Sequence, residues 1–292
     1  MLRVYCLQGR RHRLACGARG AWRGCAHAPG AAPGGLAEMG IELAPYHKTG
    51  LSLAHPLLVA HCTAELLALL DRGVLGAVVA PELGGARRER RSVVERPGGV
   101  LVEEGPGALS LGGLRQLLRQ AGDLPVIGSV AAAEPRGAAR AAERLAGEGV
   151  RALLLDLLPG DPALAEDSLA AVRGAVDLPL LAQVPLFEAA PYAALAREAG
   201  ADALVVAAPA QGLAAPGGEL QPVRVHGPLL HPLYLLAVQQ VSQTVPLPIV
   251  ARGGIHRAAD ARAFLAAGAV AAMVDSLATV EPGAVSGVGR GM

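Results

Sequence analysis

The chain has 292 residues, 52% hydrophobic, 17% charged and 2% aromatic, with a formal net charge of +1. The low charge and high apolar fraction exclude a disordered chain, and the near-zero net charge argues against a nucleic-acid binder. No run of about 18 apolar residues is free of Gly, Pro or a polar break, so no membrane span is expected. A single barrel of about 250 residues would use most of this length. The chain contains no Asn, and Lys48 is its only Lys.

Residues 1–38 differ from the rest. They carry Arg3, Arg10, Arg11, Arg13, Arg19 and Arg23, no acid before Glu38, and Cys6, Cys16 and Cys25. An Arg-rich, acid-poor leader suggests targeting, but the segment is nearly free of Ser and lacks an apolar core. Cys16, Cys25 and His27 match no common zinc spacing. The segment is read as a disordered extension, or as the product of a start codon placed too early, with Met39 the working start.

From Met39 the pattern is regular. Short apolar runs occur at 56–60, 75–80, 125–131, 152–156, 179–184, 203–207, 248–251 and 271–274. They are continuous rather than alternating, as in parallel strands buried on both faces. Amphipathic helical patterns lie between them at 137–147, 164–174, 189–200, 230–241 and 258–268, and several end in Gly, a common helix stop. The phrases "GEGVRALLL", "EAGADALVV" and "LAAGAVAAMV" repeat one grammar of helix end, Gly and strand. Eight such units predict an α/β fold, the (β/α)8 TIM barrel, over residues 39–283, with a doubly wound sheet as the alternative. The stretch "GAVSGVGRGM" offers no helical pattern, so 284–292 reads as a flexible tail and the closing helix as missing.

Barrel chemistry sits where strands end. In "IVARGGIHRAADARAF" a strand runs into Gly253 and Gly254 and then a helix. Paired glycines let backbone N–H groups face an anion, although a tight turn without ligand has the same sequence. Loops after strands seven and eight commonly form a phosphate site, which adds Asp275 and Ser276.

The order of several phrases resembles the dihydroorotate dehydrogenase family, the flavin mononucleotide (FMN) enzymes of pyrimidine synthesis. "TGLSLAHPLLVA", "LGAVVAPELG", "VVERPGGVL", "DLPVIGSVA", "ERLAGEGVRALLLDL", "DLPLLAQVP", "REAGADALVV", "HGPLLHP" and "PLPIVARGGIHRAADARAFLAAGAVAAMV" follow the family's sequence of strands and motifs from about Gly50 to Gly283. The resemblance implies hydride transfer from a small-molecule substrate to FMN. It implies Gly253, Gly254, Ser276 and Gly227 at the phosphate end, and Ser129 and Gln183 facing the ring. It also implies a cytoplasmic protein, a homodimer or a partner subunit, and no metal.

The chain departs from the family where proton transfer is expected. The family's base lies in an N-x-S-C-P-N stretch, and here residues 156–161 read "DLLPGD". Leu158 and Pro159 cannot accept a proton, and neither Asp156 nor Asp161 occupies the base position, so no catalytic residue is assigned. Pro81 and Gln183 replace two lysines, and Val102, Asp156 and Ala208 replace substrate-binding Asn residues. At Asp275 a carboxylate repels phosphate unless Arg252 pairs with it. These departures favour, as an alternative, an inactive barrel serving as a ligand-binding or regulatory subunit.

Three further features carry a functional and a bland reading. His61 and Cys62 read as base and nucleophile, or as a strand end with an inert buried thiol, since neighbours on a strand point apart. His226, His231 and His256 lie in top-face segments, where they converge on a metal or phosphate or serve unrelated roles. Arg87, Arg88, Arg90, Arg91 and Arg96 form either an anion-binding loop or a solvated one.

Overall fold

The computed structural model describes residues 40–84, 93–96, 99–103, 109–157, 159–215 and 218–292. The 1–38 segment, Arg87, Arg88, Arg90, Arg91 and Leu158 lie outside the described residues.

Eight parallel strands close into a barrel: β1 Leu57–Val59, β2 Ala77–Ala80, β3 Val126–Ala131, β4 Ala152–Asp156, β5 Leu180–Val184, β6 Ala203–Val206, β7 Ile249–Arg252 and β8 Ala271–Val274. Each falls within an expected apolar run or overlaps it. β8 pairs with β1 through Met273 and Leu58, which closes the sheet and removes the doubly wound alternative. Pro125, Pro179 and Pro248 stand just before their strands, where a missing N–H costs nothing in the ladder.

Both strand faces are buried. Leu58, Val79, Ile127, Leu154, Leu181, Val205, Val250 and Met273 fill the interior, over a floor of Leu43, Leu51 and Leu53. That floor comes from the hairpin of Ile41–Glu42 with Ser52–Leu53. Their strand neighbours, such as Val59, Val78, Leu155 and Val206, face the outer layer of helices. Those helices are Leu111–Ala121, Pro135–Glu148, Pro162–Ala175, Ala189–Glu198, His231–Thr244 and Ala258–Ala266. Because side chains alternate along a strand, stepping two residues beyond Ile127, Leu154, Leu181, Val250 and Met273 reaches Ser129, Asp156, Gln183, Arg252 and Asp275. The interior therefore changes from apolar to polar at the C-terminal mouth.

A four-stranded antiparallel sheet stands apart from the barrel ladder. Its order is Ala210–Ala214, Gln221–His226, Gly99–Glu103 and Val93–Arg96, with His226 opposite Val100. It joins the segment after β2 to the segment after β6. Among the described residues, no helix is long and apolar enough to cross a membrane.

The C-terminal end corrects the reading of a flexible tail. Pro282–Arg290 is a helix. Its glycines weaken intrinsic propensity, but Val285 and Val288 are buried against the barrel layer, and packing decides. Gly289 is required by contact: a Cβ there would lie 2.6 Å from Val74 Cβ and 3.1 Å from the Val74 carbonyl. Propensity alone predicts that Gly289→Ala gains about 1 kcal/mol. Overpacking against Val74 reverses the sign, and we expect a loss of about 1–3 kcal/mol in urea unfolding. An unchanged or higher midpoint would show that this helix is not pressed onto the barrel.

Candidate active site at the barrel mouth

Arg252 ends β7 and is 2% exposed, yet each nitrogen of its guanidinium is engaged. Nε and Nη2 donate to Asp275 Oδ2 at 3.0 and 2.9 Å. Nη1 donates to Gln183 Oε1. Nη2 also meets His61 Nε2 at 3.0 Å. A guanidinium only donates, so His61 Nε2 accepts and its proton sits on Nδ1.

Gln183 is in register with Asp156 on the neighbouring strand, and its Nε2 donates to Asp156 Oδ1 at 2.5 Å. Both ends of that amide are engaged by the protein. Arg224 comes within 3.8 Å of Asp156 Oδ2, and His226 Nδ1 lies 3.3 Å from Asp275 Oδ1. The mouth is thus a connected layer in which each acid has a basic neighbour. Burial pushes the Asp275 carboxyl up, but His226 and Arg252 outweigh it and hold it well below the usual carboxylate range. The condition set by the sequence, that Arg252 pair with Asp275, is met. The one lysine is elsewhere: Lys48 pairs with Asp177, which precedes β5.

His61 adopts φ 50°, a left-handed backbone uncommon outside glycine. Cys62 beside it is fully buried in the outer cluster, and burial pushes its thiol up to about 12. A thiol so protonated is no nucleophile at neutral pH, which leaves the bland reading of this Cys.

The turn after β7 is tight. Gly253 has φ +108° and Gly254 has φ +67°. A Cβ on Gly253 would lie 2.6 Å from the Tyr234 ring, and one on Gly254 would lie 2.7 Å from His231 Cα. Asp260 closes the turn by accepting from the N–H groups of His256 and Arg257, both at 3.0 Å. The buried Tyr234 hydroxyl accepts from the Ala210 N–H at 3.0 Å, tying this turn to the hairpin that carries His226. Two buried nitrogens around the turn, His231 Nδ1 and His256 Nε2, have no partner among the described residues. Burial pushes both imidazoles down, so both are neutral at pH 7.

The remaining expected residues also fall near the strand ends. Ser129 is on β3, 8% exposed, and its hydroxyl makes no hydrogen bond to a described residue. Ser276 opens the short helix Ser276–Val280 directly after β8. Gly227, at φ 151°, precedes the turn Pro228–Leu230. His226, His231 and His256 do not converge: His226 faces Asp275, while His231 stacks edge-on against Phe264 at 4.6 Å. Among the described residues, no group of three or more His, Cys, Asp or Glu could hold a metal ion. Sequence reasoning missed the parts played by Arg224, His226 and Tyr234. The available signal for the mouth layer was the period of two carried past each apolar run.

Comparison with known proteins places this barrel in a family. Residues 156–289 match the family model described as dihydrouridine synthase (Dus). The chain is 31% identical over 271 residues to the dihydroorotate dehydrogenase B (NAD(+)) catalytic subunit of Desulforudis audaxviator, covering 82% of this chain and 88% of that protein. The protein of the same name from Geotalea uraniireducens is 27% identical over 289 residues, covering 88% and 93%. That from Pelobacter propionicus is 34% identical over 140 residues, covering 45% and 46%. The chain belongs to the dihydroorotate dehydrogenase family, the FMN-dependent barrels.

Proposed function

We propose that this chain is an FMN-dependent oxidoreductase that oxidises dihydroorotate or a closely related dihydropyrimidine at the barrel mouth. The observation that carries this reading is the turn after β7. Its two glycines bring bare backbone close to a ligand position, and two orphaned buried nitrogens, His231 Nδ1 and His256 Nε2, flank it. Neutral imidazoles and backbone N–H groups are the donors that a phosphate takes, so the residues present fit that end of FMN. Gly253, Gly254, Ser276 and Gly227 hold the phosphate, and Ser129 lies toward the ring. Asp275 does not repel the phosphate because its charge is spent on Arg252 and His226.

Bound FMN supplies a two-electron acceptor for hydride. The chain's own task is to hold the substrate carbon against it, to exclude water and to remove a proton. Gln183, locked between Arg252 and Asp156, supplies a fixed floor rather than an adaptable contact. The relatives' printed name, a catalytic subunit, supports passage of the electrons to a partner subunit. A cytoplasmic location belongs to the same reading.

The test is the visible spectrum of the purified chain. A yellow protein carrying about one FMN per chain is the expected result. A colourless protein that fails to take up added FMN would remove the proposal.

A further inference from the structure

His226 stands where a proton acceptor is needed, and nothing in the residues 156–161 supplies one. It ends the strand Gln221–His226, fixed by its pairing with Val100 and Val225's with Ala210. Its Nδ1 lies 3.3 Å from Asp275 Oδ1, and both side chains are 10% exposed. Asp275 is itself held by two donors of Arg252 and stays ionised. An ionised carboxylate fixes the imidazole proton on Nδ1, so the lone pair is left on Nε2. No hydrogen bond of Nε2 to a described residue is present, and the His226 side chain keeps 10% of its surface exposed. An acid, an oriented imidazole and a bare nitrogen at a barrel mouth together make a general base.

We infer that His226 is the catalytic base of this chain, oriented by Asp275, with Arg252 positioning Asp275. The inference rests on the oxidoreductase reading above. Nε2 takes the proton from the carbon next to the one that loses hydride. The C–H electron pair becomes the new carbon–carbon double bond as hydride leaves, with its own pair, to FMN. The substrate thereby loses one proton and one hydride. The proton remains on the His226 imidazole beside the Asp275 carboxylate and then passes to water. His61 is a poorer candidate, because its Nε2 is occupied by Arg252.

Two measurements test this. The first mixes FMN-loaded protein with dihydroorotate without oxygen and follows loss of flavin absorbance in the wild type and in His226→Gln. Gln keeps a hydrogen bond to Asp275 but cannot take a proton. We expect equal FMN content and a rate lower by about 10²–10⁴-fold in the variant. Among the described residues, Asp275 lies against His226, and Arg252 and His61 join the same cluster through Asp275. A variant that reduces its flavin within about threefold of wild type overturns the inference alone. A wild type that binds FMN but is never reduced by a dihydropyrimidine overturns the oxidoreductase reading and the base together. The second measurement needs no turnover. Imidazole ¹⁵N shifts of the whole chain at neutral pH should show His226 protonated on Nδ1 and bare on Nε2. A neutral His226 carrying its proton on Nε2 overturns the inference.

Discussion

An Arg252→Met protein should lose about 3–5 kcal/mol of stability, because it leaves a carboxylate buried without its guanidinium. Met fills similar volume, so a cavity contributes little. Asp275 loses two charge-assisted hydrogen bonds, and Gln183 Oε1 and His61 Nε2 lose their donor. The pH dependence separates charge from packing. In the wild type, Asp275 titrates below its ordinary value of 3.8. Its folded-state pKa is below the unfolded one, so its stabilisation is present above the unfolded value and lost as pH falls through the folded one. In the variant, burial is opposed chiefly by His226, and the advantage shrinks or reverses. The gap between the two proteins should therefore narrow as pH is lowered below about 4, once the carboxylate is protonated in both. Arg252→Met/Asp275→Leu should recover part of the loss, since it removes the stranded charge as well. Urea titrations at neutral and acid pH measure all of this. A single variant within about 1 kcal/mol of wild type would show that the buried pair contributes nothing net.

The same ion pair shows what the sequence could and could not reveal. The eight strands were legible because burial on both faces makes each a continuous apolar run, and its flanking Gly or Pro marks its ends. The family was legible from the order of those runs, and the comparison with the Desulforudis audaxviator subunit agrees with it. The pairing of Arg252 with Asp275 was legible only as a condition, since the ends of β7 and β8 are neighbours in any closed barrel. Contacts between segments with no such constraint were not. His226 reaches Asp275 only because an antiparallel sheet pairs 221–226 with 99–103, and no period along the chain encodes that pairing. The helix Pro282–Arg290 was hidden for a different reason. Its glycines lower propensity, and the contact with Val74 that demands one of them is distant in sequence. The alternation within β3, β4, β5, β7 and β8 was present but masked, since an inward polar residue at or near a strand's end looks like the start of a loop.

Gly254→Ala should cost about 2–4 kcal/mol, with loss of FMN retention. Two costs add. At φ +67° an alanine sits in the left-handed region, which costs roughly 1 kcal/mol. Its Cβ would also lie 2.7 Å from His231 Cα and 2.8 Å from His231 N. Both are backbone atoms at the start of the helix His231–Thr244, so no rotamer change relieves the contact. The turn or the helix must shift, and either moves the donors that flank the phosphate position. Gly147→Ala is the matched control. Gly147 lies inside the helix Pro135–Glu148 with nothing within 4 Å of an added Cβ, and the same change there should stabilise by about 0.5–1 kcal/mol. Thermal melts and the FMN absorbance of the purified variants give both readouts. If Gly254→Ala melted with the wild type and kept its flavin, the turn after β7 would be neither strained nor part of the cofactor site. Opposite signs for one chemical change would instead tie the turn's geometry to cofactor retention, since the two alanines differ in backbone region and in what their methyl groups meet.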